Sequence, residues 1–247
     1  MLLLLLLIAL QSTQTVALKR FQVVRINPQQ SARMPKSLAA IFVDPVPNAE
    51  PVDTVEEAAT RAGFTPRLPK SANKPEFGVM DPVRAEAKIS AEELNTALKD
   101  ATAADVTVPQ GWENATISIQ QSSGILADYG DFLITQSPPM TISGPQAVAL
   151  DRFMEVVLRI AGVSAADAAA VRQKFSADPA ALFPIPIRYN MDVHEVQLNS
   201  GPGLVLQNED KVGQLALAWG TADRTYFLTG FLSESQVIDL ANSISGN

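Results

Sequence analysis

The chain has 247 residues, 47% hydrophobic and 18% charged, which is too apolar for disorder and enough for one large domain or two small ones. Its formal net charge of −7 sets an acidic surface against phosphate backbones and argues against a nucleic-acid partner. With no cysteine and one histidine it has no disulfide, no thiolate nucleophile and too few soft ligands for a zinc site.

Residues 1–17 read as a signal-like segment or a truncated anchor. Met1–Leu10 is a continuous apolar run, Leu2–Leu7 being all leucine. It is shorter than the roughly 20 residues that span a bilayer, but suits the apolar core of a signal peptide. Thr15-Val16-Ala17 offers a weak cleavage pattern, and Lys19, Arg20 and Arg25 follow it. The pattern predicts export or membrane anchoring; its alternative is a buried N-terminal helix. Residues 18–53 read as an arm or linker. Five cations, Lys19, Arg20, Arg25, Arg33 and Lys36, occur there before the first acid, and Phe21–Ile26 suits a strand. Asp44-Pro45-Val46-Pro47 is extended connector.

Residues 54–247 read as the folded domain. Thr54-Val55-Glu56-Glu57 is a capping box that opens a short helix ended by Gly63. Asp44, Glu50, Asp53, Glu56 and Glu57 cluster here without the spacing of a calcium loop, and acids at a helix start are explained by the dipole. Pro66–Pro82 reads as loop. Ser90-Ala91-Glu92-Glu93 caps a second helix that runs to about Ala104, with Ile89 and Leu94 as staple partners. Pro109-Gln110-Gly111 is a turn before Trp112. Ile117 and Ile119 alternate with polar residues as a half-buried strand, with Phe132–Gln136 as its expected hairpin partner. Pro138-Pro139 should stop the sheet. Ser143-Gly144-Pro145 should start the longest helix, whose apolar stripe is Leu150, Phe153, Met154, Val157, Leu158 and Ala161, with Gly162 as its end. Ser164–Phe175 suits another helix. Asp178-Pro179 and Pro184-Ile185-Pro186 lead into the last sheet. The stretch at about 90–175 therefore reads as a helical insertion.

The remaining stretch alternates as strands: Val193–Leu198, Leu204–Gln207, Gln214–Trp219 and Thr225–Thr229. Gly201-Pro202-Gly203 reads as a turn and Gly220–Arg224 as a hairpin loop. Ser233-Glu234-Ser235-Gln236 is a third capping box, with Leu232 and Val237 at staple positions and Val237, Ile238, Ala241 and Ile244 at helical spacing. The expected fold class is α+β: an antiparallel sheet of roughly five to seven strands with helices covering one face.

Leu215–Gly220, Tyr226-Phe227-Leu228-Thr229-Gly230, Leu232-Ser233, Ile238 and Ala241–Ile244 carry a resemblance, as does Glu57–Pro69. Together they resemble an uncharacterised bacterial domain found at the extracytoplasmic end of membrane-bound anti-sigma factors and in related envelope proteins. That domain is distantly similar to lipoprotein-carrier and periplasmic sigma-regulator folds. The resemblance implies a location outside the cytoplasmic membrane and a protein partner. The chain lacks the Cys/His zinc-binding segment of many anti-sigma factors.

Motifs for catalysis are sparse. His194 lies beside Asp192 and Glu195, but a strand turns Glu195 to the opposite face, and His194 shares parity with Val196 and Leu198. No Gly-x-Ser-x-Gly elbow, P-loop or dinucleotide fingerprint occurs. Glu56-Glu57 and Glu92-Glu93 sit in first turns of helices. No catalytic, cofactor-binding or metal-binding residue is assigned, and no cofactor. Trp112, Trp219, Tyr129, Tyr189 and Tyr226 are the candidate anchors for a partner, Trp219 and Tyr226 reading as core. Three readings of function follow: a non-enzymatic envelope module binding a protein or peptide, a carrier for a lipid-like apolar ligand, and a hydrolase using His194. Membrane attachment through the N-terminus accompanies the first.

Overall fold

The computed structural model describes residues 13–19, 21–25, 34, 35, 38, 48–70, 73–177, 183–187, 191–208 and 213–245. The leucine run, Arg33, Lys36, Asp44, the Asp178-Pro179 step and Tyr189 lie outside them. In chain order the elements are β1 (Thr13–Leu18), β2 (Phe21–Arg25), β3 (Ala49–Val52), α1 (Val55–Ala62), β4 (Glu76–Met80), β5 (Val83–Lys88) and α2 (Ala91–Asp100). Then come β6 (Thr116–Gln121), β7 (Gly124–Asp128), β8 (Phe132–Ser137), β9 (Met140–Pro145), α3 (Leu150–Ile160) and α4 (Ala165–Ala177). The chain closes with β10 (Phe183–Ile187), β11 (Met191–Leu198), β12 (Gly201–Asn208), β13 (Leu215–Gly220), β14 (Thr225–Gly230) and α5 (Glu234–Ser245). The fold is α+β.

Two antiparallel sheets share one creased ribbon. The four-stranded sheet has the order β1-β9-β6-β5, and the eight-stranded sheet β11-β12-β13-β14-β8-β7-β4-β3. Only Asp81-Pro82 separates β4 from β5, Ser122-Ser123 separates β6 from β7, and Pro138-Pro139 separates β8 from β9. Each of these three strands therefore starts in one sheet and ends in the other. Proline gives no N–H to a ladder, so Pro82, Pro138 and Pro139 break the pairing at the crease. Pro138-Pro139 thus redirects the sheet where the sequence suggested an end.

Helices cover one face of each sheet. Helices α2, α3 and α4 bring Leu94, Leu98, Phe153, Val157, Val171 and Phe175 into one core with Ile117 and Ile142 of the smaller sheet, all nearly fully buried, with Trp112 tilted against Phe153 at 6.3 Å. Over the larger sheet, α1 packs Ala58 on Val79 and Ile125. On the same sheet α5 packs Val237, Ala241 and Ile244 against Leu217, Trp219, Tyr226 and Leu228. Strand parity places both helices on one side: Phe77 and Val79 of β4 face together, one against each cluster. The opposite face of β12 and β13 packs Leu204, Leu206 and Ala218 against Phe21 of β2, which pairs in parallel with β10.

The three N-cap hydroxyls accept where the sequence predicts, and at α5 the box closes both ways, while the Glu57 carboxylate accepts from Asp53 N–H at 3.3 Å. Glu57 N–H donates to Thr54 Oγ1 at 3.1 Å, and Glu93 N–H to Ser90 Oγ at 3.3 Å. At α5, Ser233 N–H donates to Gln236 Oε1 at 2.8 Å and Gln236 N–H returns to Ser233 Oγ at 3.4 Å. Ser233→Ala removes that side-chain acceptor and is expected to lower stability by about 0.5–2 kcal/mol. Chemical denaturation with an unchanged m-value would measure it; an unaltered midpoint would show the cap to be idle.

Several expectations are corrected. The larger sheet has eight strands and a second sheet of four stands beside it, because the ribbon doubles over. Within the expected loop 66–82 lies β4. The partner of Phe132–Gln136 is β7, while the Ile117 strand pairs with β5 and β9. Ser143-Gly144-Pro145 ends β9, and α3 starts five residues later, so α4 with 13 residues is longer than α3 with 11. Helix α2 stops at Asp100. Gly201-Pro202-Gly203 belongs to β12, with the turn at Asn199-Ser200. A Cβ on Gly203 would sit 3.0 Å from Leu198 Cδ1 and 3.2 Å from Leu217 Cδ1, so this glycine clears space for the core. Residues 90–175 contribute β7 and β8 to the middle of the larger sheet as well as three helices.

The N-terminal residues act as a strap. β1 completes the smaller sheet, Lys19 crosses the backbone at Gly220 of β13, and β2 then lies over the far face of the larger sheet.

Candidate functional site

The loop 64–70 is pinned over the β13–β14 hairpin by a polar knot. Gln136 of β8 is 1% exposed, and its amide is satisfied by one backbone residue: Oε1 accepts from Arg67 N–H at 2.9 Å and Nε2 donates to Arg67 C=O at 3.2 Å. The Arg67 guanidinium then forks onto Asp223 at 2.9 and 3.1 Å and reaches Tyr226 Oη at 3.3 Å. Tyr226 stacks on Trp219 with ring centroids 4.8 Å apart, and Arg224 lies 4.3 Å over the Phe64 ring. Hydrogen bonds to Tyr226 and Asp223 raise the Arg67 pKa further. Burial pushes the Asp223 carboxyl up, but hydrogen bonds from Arg67 and Thr221 outweigh it and hold the group below the usual carboxylate range. Nothing in this knot pairs a nucleophile with a base; it fastens a loop.

A second network joins α3 to α4. Arg172 bonds Asp151 at 3.0 Å and Glu155 at 3.2 Å, and Ser176 donates to Asp151 at 3.0 Å. Asp151 is pushed up by burial but held low by Arg172 and Ser176. Asp151 and Asp223 therefore both titrate lower folded than the unfolded value of about 3.9. Their stabilisation is complete above that value and is lost as pH falls through the folded pKa. The melting temperature is expected to fall as pH drops below about 4, and Arg67→Met and Arg172→Met should each flatten that fall. A series of melting curves across this window checks it; an unchanged slope in both variants would contradict it.

The knot anchors one wall of a surface groove. On the helix side are Leu232, Gln236, Asp239, Leu240 and Ser243, a stripe set by helical spacing. Facing them are Lys70 and Asn73 from the loop before β4. Asp131 and Phe132, at the tip of the β7–β8 hairpin, close one end. The groove is open to solvent and holds about 350 Å³. Lys70 N–H donates to Ser243 Oγ at 3.2 Å, stapling loop to helix. Beside it stands Phe231, whose N–H bonds Asp131 C=O at 3.3 Å and whose side chain is 74% exposed. The groove offers apolar walls at Leu232, Leu240 and Phe132, with two carboxylates and one ammonium around them.

The other anchors read from the sequence are placed as follows. Trp112, Tyr129, Trp219 and Tyr226 are all buried. Burial raises the Tyr129 hydroxyl to about 12, and its ring stacks on Phe132 at 4.5 Å. His194 sits half-exposed on β11 with Nε2 3.2 Å from Glu234 Oε2 at the start of α5. At that exposure the pair is worth little. Among the described residues no group of three or more His, Asp and Glu is placed to hold a metal ion. No described helix is long and apolar enough to cross a membrane. Phe231, Asp131 and Lys70 escaped the sequence reading. The signal for Phe231 was a large apolar residue wedged between Gly230 and the α5 capping box.

No family model, no curated protein and no solved structure matches the chain.

Proposed function

We propose that the chain is a non-enzymatic extracytoplasmic envelope module that binds a protein or peptide partner along the α5 groove, and that it is attached to the membrane through its N-terminus. The observation that carries the binding reading is Phe231. A phenylalanine left 74% exposed beside an open groove with apolar walls is the arrangement of a docking surface. The extracytoplasmic part of the reading is supported by the Met1–Leu10 run and by the resemblance to envelope domains. A carrier of a lipid-like ligand is the rival. The space such a ligand would take beneath α5 is filled by Trp219, Tyr226, Leu228 and Val237, each at most 2% exposed.

A photo-crosslinking side chain at position 231, in cells that make the protein, is expected to capture one protein or peptide. Position 92, also exposed on α2, should not capture it. Adding Leu240→Arg should abolish the adduct by placing a long cation in the groove wall. Equal capture at both positions would sink the docking site, and a stoichiometric apolar small molecule in native mass spectra would favour the carrier.

A further inference from the structure

We propose that the β1–β9 corner of the four-stranded sheet, formed by Thr13, Pro145 and the turn to Val148 and Ala149, faces the lipid bilayer, and that Met1–Leu10 stays joined to the domain as the anchor that holds it there. This rests on the membrane-attachment reading above.

Three observations carry it. First, β1 is built into the fold. It pairs with β9 from Thr13↔Pro145 to Leu18↔Met140, Leu18 is 4% exposed, and Val16 packs against the core. Gln14 Nε2 donates to Pro145 C=O at 3.2 Å and to Val148 C=O at 2.6 Å. Cleavage after Ala17 would remove all of this strand but Leu18 and bare the β9 edge, so processing there is incompatible with the sheet. Second, the sequence allows only Gln11 and Ser12 between Leu10 and Thr13. That is roughly 10 Å of chain, so lipid around the leucine run brings Thr13 to the interface. Third, Pro145-Gln146-Ala147-Val148-Ala149 carries no charge, and Gln146, Ala147 and Ala149 are exposed. The charged residues of this end are Lys88, Glu92, Glu93 and Glu113 on its β5 side, and Asp151, Arg152, Glu155 and Arg172 on α3 and α4, where they pair with one another. Asp131, in contrast, lies at the far tip of the same β8–β9 strand, roughly 45 Å along its contour, with the groove and Phe231.

The chain has no cysteine, so single labels are clean. Full-length Gln146→Cys and Phe231→Cys, each carrying an environment-sensitive dye, are reconstituted with vesicles of phosphatidylethanolamine and phosphatidylglycerol containing a nitroxide-labelled lipid. Quenching is expected to be several-fold stronger at position 146 than at 231. Leu3→Glu with Leu6→Glu should abolish vesicle binding, and the intact mass of protein from its producing cells should include β1. Bound protein with equal quenching, or stronger quenching at 231, overturns the orientation while leaving attachment standing. Failure of the unsubstituted run to bind vesicles removes the attachment reading and the orientation with it. A mature N-terminus at Leu18, or binding that survives the two glutamates, overturns the anchor.

Discussion

Trp219→Ala is expected to destabilise the fold by about 3–5 kcal/mol, the range for emptying a large aromatic site in a packed core. Trp219 is fully buried, and its ring lies parallel to Tyr226 across the β13–β14 pair. Tyr226 in turn holds Arg67, so removing the indole loosens the knot that carries the groove loop as well as the core under α5. The indole Nε1 has no acceptor among the described residues. A buried unpaired donor already costs about 1–3 kcal/mol, so Trp219→Phe should cost much less than the alanine change: it loses area but also removes that donor. Denaturant midpoints at constant m-value give both numbers. Equal losses for the two variants would mean that the indole N–H has a partner and that ring volume contributes less than argued.

The α5 end of the fold was legible because several signals agree there. The capping box at Ser233, the alternation Leu215-Leu217-Trp219, and the helical spacing of Val237, Ala241 and Ile244 all specify one sheet under one helix. Each signal is local, and each appears in the structure. The caps at Thr54 and Ser90 were readable for the same reason, since a hydroxyl three residues before an acid positions its own acceptor.

The creased ribbon was not legible, and its failure has a physical cause. β5 reads Val83-Arg84-Ala85-Glu86-Ala87-Lys88, an alternation whose apolar members are mostly alanines, residues of low strand preference. Ala87 is nonetheless 1% exposed, because it faces the core cluster that the helices over the smaller sheet close. β9 carries Gly144 and Pro145, which locally favour a helix start; pairing with Gln14 and Thr13 of β1 overrides that preference. Pro138-Pro139 is a sound stop signal for one sheet. Nothing within a few residues says that the strand resumes in another. Register between β6 and β9 or β8 and β14 is a property of distant partners, and periodicity along a single strand does not contain it. The groove follows the same rule: Lys70, Asp131 and Asp239 are far apart in sequence and meet only because the loop is stapled to Ser243.

Gly220→Ala should be the more informative of the two largest changes, because its steric effect falls on the strap. A Cβ at position 220 would lie 1.6 Å from Lys19 O and 2.8 Å from Lys19 C. Both are backbone atoms between β1 and β2, so no rotamer change relieves the overlap. Either β13 or the strap must move. β13 is held on both sides by β12 and β14, with Trp219 locked in the core beside it. The strap is held by β1 on an edge and by the β2–β10 pair, and it gives way first. Overpacking of this kind costs about 1–3 kcal/mol. The loss should be uneven: hydrogen exchange at Thr13–Leu18 should accelerate, while the amides of β13 and β14 stay protected. Gly111→Ala is the control, since a Cβ there meets nothing within 4 Å, and it should leave stability within about 0.5 kcal/mol. If exchange rises equally across β1 and β13, the strap and the larger sheet open together, and Lys19 is a structural pin of the whole domain. If neither rises, the chain does not cross at Gly220, and the strap that sets the β1–β9 corner is wrong.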